Sequence, residues 1–181
     1  MPKIVDHDAQ RAAMLDGAFE LFADKGYAAT SMRSLATGLG VSTGTLYHYF
    51  GSKEDIFENM VRRVAERDVS AAIESIPAEA DQLLRLQSVF AWICANQTYL
   101  SRMLLLIFDF QRHRSDHAAE ALVVQAAQLY RLAFEDQVGA HGPAWSMILG
   151  MMVQGLLEPA VSDPAKHLAV LEALLVHDQP S

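Results

Sequence analysis

Two short helical segments lie between Thr30 and Phe50, and neither is long enough to be stable in isolation. The first, TSMRSLATGLG, carries apolar residues at positions i, i+3, i+4 and i+7, with Thr30 as the expected N-cap and Gly40 as the expected end. The second, TGTLYHYF, follows at once, and Ser42 is its expected N-cap. Two short helices joined by so tight a turn predict a helix-turn-helix.

The second segment has two chemically different faces. Val41, Leu46 and Phe50 are expected to point inward and to hold the short helix against its neighbours. The outer face carries Thr43, Gly44, Thr45, Tyr47, His48 and Tyr49. Hydroxyl and imidazole groups can reach phosphates and base edges, and Gly44 permits a close approach to the nucleic-acid backbone. This face predicts a recognition helix, and the alternative is that its aromatic residues only cover a small core.

The distribution of charge supports an anionic partner although the total charge does not. The chain has 181 residues and a net charge of −8, which by itself argues against a polyanion. The segment from Lys25 to Lys53, however, contains Arg33 and no aspartate or glutamate. An acid-free stretch in an acidic protein predicts that one face contacts an anion.

The rest of the chain is also predicted to be helical, since it shows neither hairpin turns nor sustained alternation of apolar and polar residues. We expect an all-α fold of about nine helices, with a three-helix DNA-binding domain over residues 1–52 and a larger helical bundle over residues 53–181. A long fourth helix, from Lys53 to about Ile76, would join the two. The last three helices are expected over about Asp116 to Val138, Pro143 to Glu158 and Pro164 to His177.

Composition excludes several classes of protein. The chain is 51% hydrophobic, which argues against disorder. No apolar run approaches the ~18 residues of a membrane span, and we find no export signal. The single cysteine, Cys94, lies among apolar residues and is typical of a reducing compartment. We therefore expect a cytoplasmic protein that has neither membrane contact nor cofactor.

The segment TSMRSLATGLGVSTGTLYHYFGSKEDIF, with AFELFADKGY before it, resembles the DNA-binding domain of the TetR/AcrR transcriptional regulators. The resemblance covers about Gln10 to Phe57. It depends on the run of tyrosine, aromatic residue, tyrosine and phenylalanine, and on the following Ser-Lys, at a fixed distance from Gly-Val-Ser. It implies an all-α homodimer in which three N-terminal helices bind operator DNA, while a larger helical domain dimerises and binds a small effector.

The resemblance also implies roles for individual residues. The predicted DNA-binding set is Arg33, Ser42, Thr43, Gly44, Thr45, Tyr47, His48, Tyr49 and Lys53. Arg33 matches a position that contacts a base in the major groove, and residues 43–45 match base-facing positions. Tyr47, Tyr49 and Lys53 match phosphate contacts.

The C-terminal sequence predicts less about its ligand. We expect a small, largely apolar effector, because no buried acid or base pair is evident there. Arg102 and His113 are the candidates for a polar anchor. The candidates to line a pocket are Trp92, Tyr99, Met103, Phe108 and Trp145. The last two helices have wide apolar faces, and the predicted dimer interface is Met147, Gly150, Met151, Gly155, Leu171 and Leu174.

Together these features predict a repressor that a small effector releases from a palindromic operator. A DNA-binding regulator controlled by a protein partner is one alternative, and an enzyme is a weaker one. An enzyme needs a positioned nucleophile and base, and Cys94 has no partner that the sequence indicates. His113 and His117 have the spacing of metal ligands on a helix, but neighbouring arginines favour solvated histidines, so we predict no metal site.

Overall fold

A computed structural model describes residues 6–114, 117–140 and 142–177, and in these ranges it shows nine α-helices and no β-strand. The predicted all-α fold is therefore confirmed. The helices are α1 (His7–Lys25), α2 (Met32–Gly38), α3 (Thr43–Tyr49), α4 (Lys53–Glu74), α5 (Gln82–Ala95), α6 (Gln97–His113), α7 (His117–Val138), α8 (Pro143–Leu157) and α9 (Pro164–His177). The predicted start of the seventh helix at Asp116 lies outside the described residues. None of the helices in the described ranges is both long and apolar enough to cross a bilayer.

Glycine and serine set the ends of the first helices much as the sequence predicts. Gly26 has a φ of 79°, and its N–H donates to the Phe22 carbonyl at 2.8 Å, which ends α1. Gly40 has a φ of 68°, a left-handed conformation in which a side chain would be strained. Ser52 accepts the Asp55 N–H at 3.1 Å at the start of α4.

The predicted cap of α2 is wrong by one residue. Ser31, not Thr30, is the N-cap: its hydroxyl accepts the Ser34 N–H at 3.2 Å, and the Ser34 hydroxyl accepts the Ser31 N–H at 2.9 Å. The Thr30 hydroxyl is buried and donates to the Gly26 carbonyl at 2.7 Å instead, so it closes the turn after α1.

One compact unit, unit 1, comprises the chain up to Glu66 together with Met103–Ala126. Aromatic rings fill much of its core. Phe57 stacks on Phe110 with 4.2 Å between the ring centroids, and Tyr27 meets both rings edge-on at 5.1 and 4.8 Å. Leu35 and Leu46, from α2 and α3, are fully buried in the same unit. The core of unit 1 thus includes residues of α6 as well as residues of the first four helices.

A second compact unit, unit 2, comprises Arg67–Arg102 and the chain from Ala127 onward. Its core contains Leu86 and Phe90 of α5, Phe134 of α7, Ile148 of α8 and Leu171 of α9. The helices α4, α6 and α7 each contribute residues to both units. The compact units therefore divide the chain differently from the domain boundary expected after residue 52.

Candidate functional site

The turn between α2 and α3 is built from local hydrogen bonds. The Val41 N–H donates to the Ala36 carbonyl at 3.0 Å, which ties the turn to α2. The Ser42 hydroxyl accepts the Thr45 N–H at 2.9 Å and caps α3, as predicted. Leu46 and Phe50 are 0% and 1% exposed. Since a helix of this length is unstable alone, these caps and buried side chains hold α3 in place.

The outer face of α3 is polar and accessible. Ser42, Thr43, Gly44 and His48 are exposed, and Tyr47 is 54% exposed. Thr45 is half-buried, and neither α2 nor α3 contains an acidic residue. A face of hydroxyls, an imidazole and an accessible backbone, without carboxylates, suits contacts to phosphates and base edges.

Tyr49 differs from Tyr47 because its hydroxyl already has partners within the chain. It donates to the Gln10 Oε1 atom at 2.8 Å, and it is hydrogen-bonded to His7 Nδ1 at 2.9 Å. The His7 ring lies 6.1 Å from the His48 ring, centroid to centroid. The first turn of α1 therefore holds the end of α3, and the predicted phosphate contact of Tyr49 remains a prediction.

The predicted cations occupy two different settings. Arg33 is exposed and lines an open cleft of unit 1 together with Lys25 and Ser31. Lys53 is half-buried: its Nζ atom donates to the Tyr27 carbonyl at 3.0 Å and lies 4.1 Å from the centroid of the Tyr27 ring. Arg33 is thus open to a nucleic acid, whereas Lys53 also holds the loop between α1 and α2.

Tyr27 is the central hydrogen-bonding residue of that loop. Its N–H donates to Asp109 Oδ2 at 2.7 Å, and its hydroxyl donates to Glu54 Oε1 at 2.8 Å. Burial, together with the Glu54 carboxylate, raises the pKa of the Tyr27 phenol. Arg114 lies 3.7 Å from the same carboxylate. The end of α6 is therefore joined to the loop that precedes α2.

Unit 2 contains a cavity of about 60 Å³ with mainly apolar walls. Trp92 and Trp145, two of the predicted effector residues, line this cavity. Tyr99 does not line it, and Met103 and Phe108 belong to unit 1, where Met103 is buried and Phe108 is 50% exposed.

The predicted polar anchors also lie away from the cavity. Arg102 does not line it, and His113 Nδ1 is bonded to the Asp109 carbonyl oxygen at 2.8 Å in unit 1. Within the described residues, no group of three or more His, Cys, Asp and Glu side chains is arranged to hold a metal ion.

The expectation that no buried acid lies near the pocket is wrong. Asp68 is 3% exposed and lines the cavity. Its Oδ2 atom accepts the Tyr130 hydroxyl at 2.8 Å, and the Tyr99 hydroxyl lies 3.1 Å from both carboxylate oxygens. The Arg67 Nη2 atom is 3.4 Å from Oδ1 and donates to the Tyr99 hydroxyl at 2.6 Å. Burial raises the pKa of the Asp68 carboxyl, while these donors favour its charged form.

The sequence carried a signal that could have identified Asp68. Met60, Val64 and Asp68 follow one another at intervals of four residues on α4, and Met60 and Val64 are buried at 0% and 1% exposure. An acid that continues the buried stripe of a helix is expected to lie inside the protein. His7 and Gln10 had no comparable signal, because they precede Tyr49 by 42 and 39 residues.

The structure corrects part of the predicted dimer interface. Met151 and Leu171 are buried at 4% and 1% exposure in the core of their own unit, and Met147 and Leu174 pack against that core. The space beside Gly155 holds the Gln97 side chain, so this glycine serves packing within the chain. These residues face inward because α8 and α9 pack on each other and α9 packs on α5.

A different apolar face of α8 and α9 is exposed. Gly150 has no atom within 4 Å of an added Cβ. Leu149, Val153 and Leu157 are exposed on the same side of α8 at helical spacing. On α9, Val170 and Val176 are exposed, and they are six residues apart. These five side chains are the exposed stripes of α8 and α9.

Comparison with known proteins agrees with this arrangement. The sequence model described as "Bacterial regulatory proteins, tetR family" matches residues 14–60, which run from α1 into α4. The HTH-type transcriptional repressor Rv1474c of Mycobacterium tuberculosis is 30% identical over 179 residues, which is 95% of each chain.

Two solved structures share the fold at 20% sequence identity. The transcriptional regulator SCO7518 of Streptomyces coelicolor A3(2) has a TM-score of 0.74, covering 91% of this chain and 97% of that chain. The multidrug binding protein EbrR, complexed with malachite green, has a TM-score of 0.68, covering 91% of this chain and 96% of that chain.

Proposed function

The chain belongs to the TetR family of bacterial transcriptional regulators, and on this basis we propose that it is a repressor that binds a palindromic operator as a homodimer and releases it when a small molecule occupies the cavity of unit 2. The observation that carries the proposal is the outer face of α3. This capped helix is held by its buried Leu46, and it presents residues 43–45, Tyr47 and His48 on an exposed face without acidic residues.

DNA recognition would start from the N-terminal end of α3. In helix-turn-helix proteins the N-terminal residues of the second helix contact base edges in the major groove. Thr43, Gly44 and Thr45 hold that position here, and Arg33 lies in the first turn of α2. Tyr47 is available for a phosphate because it is 54% exposed.

Dimerisation would use the exposed stripes of α8 and α9. Leu149, Val153 and Leu157 offer an apolar surface, and Gly150 lets a second helix approach closely. A two-fold interface buries the same patch on both copies. A palindromic operator then follows, because its two half-sites mirror the symmetry of the dimer.

The effector site is proposed from the cavity of unit 2. Its volume of about 60 Å³ is small beside the roughly 300–1,000 Å³ of pockets that enclose drug-sized ligands. The effector is therefore compact, or it displaces side chains such as Trp92 and Trp145 on entry. EbrR, which has the same fold, binds malachite green, and this supports a small-molecule effector here.

Coupling between the two functions would run along shared helices. The helix α4 carries Lys53 in unit 1 and Asp68 in unit 2. The helix α6 carries Asp109, which accepts the Tyr27 N–H in unit 1, and Tyr99, which is bonded to Asp68 in unit 2. A ligand that favours one arrangement of these helices would shift the population away from the DNA-binding state.

Selection from randomised duplexes tests the DNA-binding part directly. The full-length protein should enrich a palindrome whose half-sites lie about one helical turn apart, or slightly more. Fluorescence anisotropy on the selected duplex, against a scrambled duplex, then gives the specificity ratio. Enrichment of no sequence, or of an asymmetric one, would contradict the proposal.

A further inference from the structure

We infer that the ligand of the unit 2 cavity is a compact organic monocation, with the Asp68 carboxylate as its counter-ion and the aromatic side chains of the cavity as its walls. The inference deepens the proposed function and depends on it in one respect only, namely that the cavity is the effector site. The experiment below separates the failure of one from the failure of the other.

Only some of the side chains that are hydrogen-bonded around Asp68 line the cavity. Asp68 and Tyr130 line it, whereas Arg67 and Tyr99 do not. The Arg67 side chain is 49% exposed, so solvent screens its charge, and the Asp68 side chain is 3% exposed. A molecule in the cavity therefore lies beside Asp68 and Tyr130, whereas Arg67 is not among the lining residues.

The carboxylate retains hydrogen-bonding capacity. A carboxylate offers about four acceptor sites. Tyr130 fills one, and Tyr99 has a single hydroxyl proton although it lies 3.1 Å from both oxygens. Arg67 reaches Oδ1 only at 3.4 Å, which is a long hydrogen bond. The carboxylate of Asp68, a residue that lines the cavity, therefore has an acceptor site left for a further donor.

The charge of the preferred ligand follows from the surroundings. An anion would be repelled by Asp68, and a neutral molecule would leave its charge as poorly solvated as before. A cation gains the attraction of the carboxylate, and it also gains the faces of aromatic rings. Trp92, Tyr130 and Trp145 all line the cavity.

The small volume limits the ligand to a compact head group. About 60 Å³ accommodates a few groups of the size of a water molecule, which each need ~10–15 Å³. An ammonium group with small substituents fits such a space. Any larger body must displace side chains that line the cavity.

Three soluble probes of similar size and different charge test the inference: benzylammonium, benzyl alcohol and benzoate. Binding to the full-length protein is followed by tryptophan fluorescence and calorimetry. Benzylammonium should bind roughly tenfold or more tightly than benzyl alcohol, and benzoate should bind least. The Asp68→Asn variant should lose that advantage while its affinity for benzyl alcohol stays unchanged, and Asp8→Asn, an exposed acid of unit 1, should change neither.

A purely structural Asp68, one that only ties α4 to α6 and α7, gives another result. Asp68→Asn would then weaken all probes alike, or none. Equal affinity for the three probes, or no detectable binding of benzylammonium at millimolar concentration, would also overturn the inference.

The pH dependence of the unchanged protein provides a second measurement should Asp68→Asn fail to fold. Protonation of Asp68 at low pH removes the counter-ion, so benzylammonium affinity should fall and benzyl alcohol affinity should not. The charged and titratable groups that face Asp68 are Arg67, Tyr99 and Tyr130, and burial raises the pKa of both phenols, so all three keep their protons there. Among the described lining residues, α5 and α8 contribute no charged side chain. An equal fall in the affinities for benzylammonium and benzyl alcohol as pH is lowered would contradict the assignment of Asp68 as the counter-ion.

The effect on DNA separates the two proposals. If benzylammonium binds through Asp68 but leaves the operator complex intact in anisotropy, the ligand class stands and the effector role of the cavity fails. If benzyl alcohol or benzoate releases the operator and benzylammonium does not, the effector role stands and the monocation is wrong.

Discussion

At the scale of single residues, Gly44 is a helical glycine that the fold itself does not require. A Cβ at this position would meet only Ser42 Oγ, at 3.7 Å, which is an ordinary contact. Alanine is the better helix former by about 1 kcal/mol, so Gly44→Ala should leave the free energy of unfolding unchanged or raise it by up to about 1 kcal/mol. It should nevertheless weaken DNA binding, because a methyl group would stand between α3 and the nucleic acid. Urea unfolding and anisotropy measure the two effects.

Gly40→Ala is the matched control for the effect of Gly44→Ala on the free energy of unfolding. Its φ of 68° strains an alanine, so the free energy of unfolding should fall by about 1 kcal/mol. Unchanged DNA affinity in Gly44→Ala would show that the N-terminal end of α3 does not approach the DNA closely.

Arg33 and Tyr47 should differ in how they affect specificity. Arg33→Ala should cost about 1–3 kcal/mol on the selected operator and less on a scrambled duplex if the guanidinium group reads a base. Tyr47→Phe should weaken both duplexes alike, because a phosphate contact carries no sequence information. Arg131→Ala, which removes an arginine of unit 2 that is paired with Glu135, is the control. If Arg33→Ala and Arg131→Ala have the same affinities for the two duplexes, Arg33 does not belong to the DNA interface.

Asp68 should make stability depend on pH in a direction opposite to that of an acid whose pKa is lowered by folding. Burial raises its pKa in the folded chain above the ordinary 3.8. Between these two pKa values the folded state binds a proton that the unfolded state does not, so the contribution of this site to stability rises as pH falls. The unfolding free energy of the unchanged protein minus that of Asp68→Asn should therefore become more positive as pH is lowered from neutral to about 4. Urea titrations at several pH values test this, and a shift of the other sign would show that the hydrogen bonds outweigh burial.

The residue scale also shows where sequence reasoning succeeds. Ser42, Leu46 and Phe50 could be placed because capping and helical spacing are local properties. The partners of Tyr49 could not be, since they depend on how α1 packs beside α3. Asp68 could have been found from the buried stripe of α4, which Met60 and Val64 mark.

At the scale of elements, the loop between α1 and α2 depends on α6. The Tyr27 N–H donates to Asp109 Oδ2 at 2.7 Å, and Tyr27 is 3% exposed. Asp109→Ala leaves this buried N–H without its partner and should lower the free energy of unfolding by about 1–3 kcal/mol. Asp109→Asn keeps an acceptor oxygen and should recover most of the loss. Chemical denaturation of the two variants measures these changes. An equal fall in the free energy of unfolding in both would show that the charge of Asp109, and not its acceptor oxygen, stabilises the loop.

Helix existence was easier to predict than helix packing. Glycine and serine signals placed the starts or ends of several helices, with an error of one residue at Thr30 and Ser31. The same signals do not show which side of a helix is covered. The structure turns Met151 and Leu171 of α8 and α9 toward their own core, although their spacing also suited an interface.

At the scale of the whole molecule, three helices contribute to both compact units. The sequence predicted one connecting helix, α4, because its length was apparent from the spacing between capping signals. The contribution of α6 to unit 1 was not predictable, since it depends on contacts such as that between Phe57 and Phe110, which are far apart in sequence. The coupling proposed between the cavity and the DNA-binding face would therefore have more than one covalent path.

Dimerisation is the prediction that involves the whole molecule. The exposed stripes of α8 and α9 include Val153 and Val170, which are 37% and 50% exposed. Val153→Glu and Val170→Glu place a carboxylate in the proposed interface, where burial without a partner costs several kcal/mol, so each should shift the protein to monomer at micromolar concentration. Leu132→Glu is the matched control, because Leu132 is 55% exposed on α7, outside the two stripes.

Sedimentation velocity measures the state of each variant, and anisotropy measures the consequence for DNA. A monomer has one reading head, so the two interface variants should bind a palindrome no better than a single half-site, while Leu132→Glu should keep the full preference. A monomeric unchanged protein, or equal disruption by Leu132→Glu, would exclude these stripes as the interface. Retention of the dimer in both interface variants would place the interface on another surface of the protein, and the spacing of the half-sites in the selected operator would then have to be explained from that other surface.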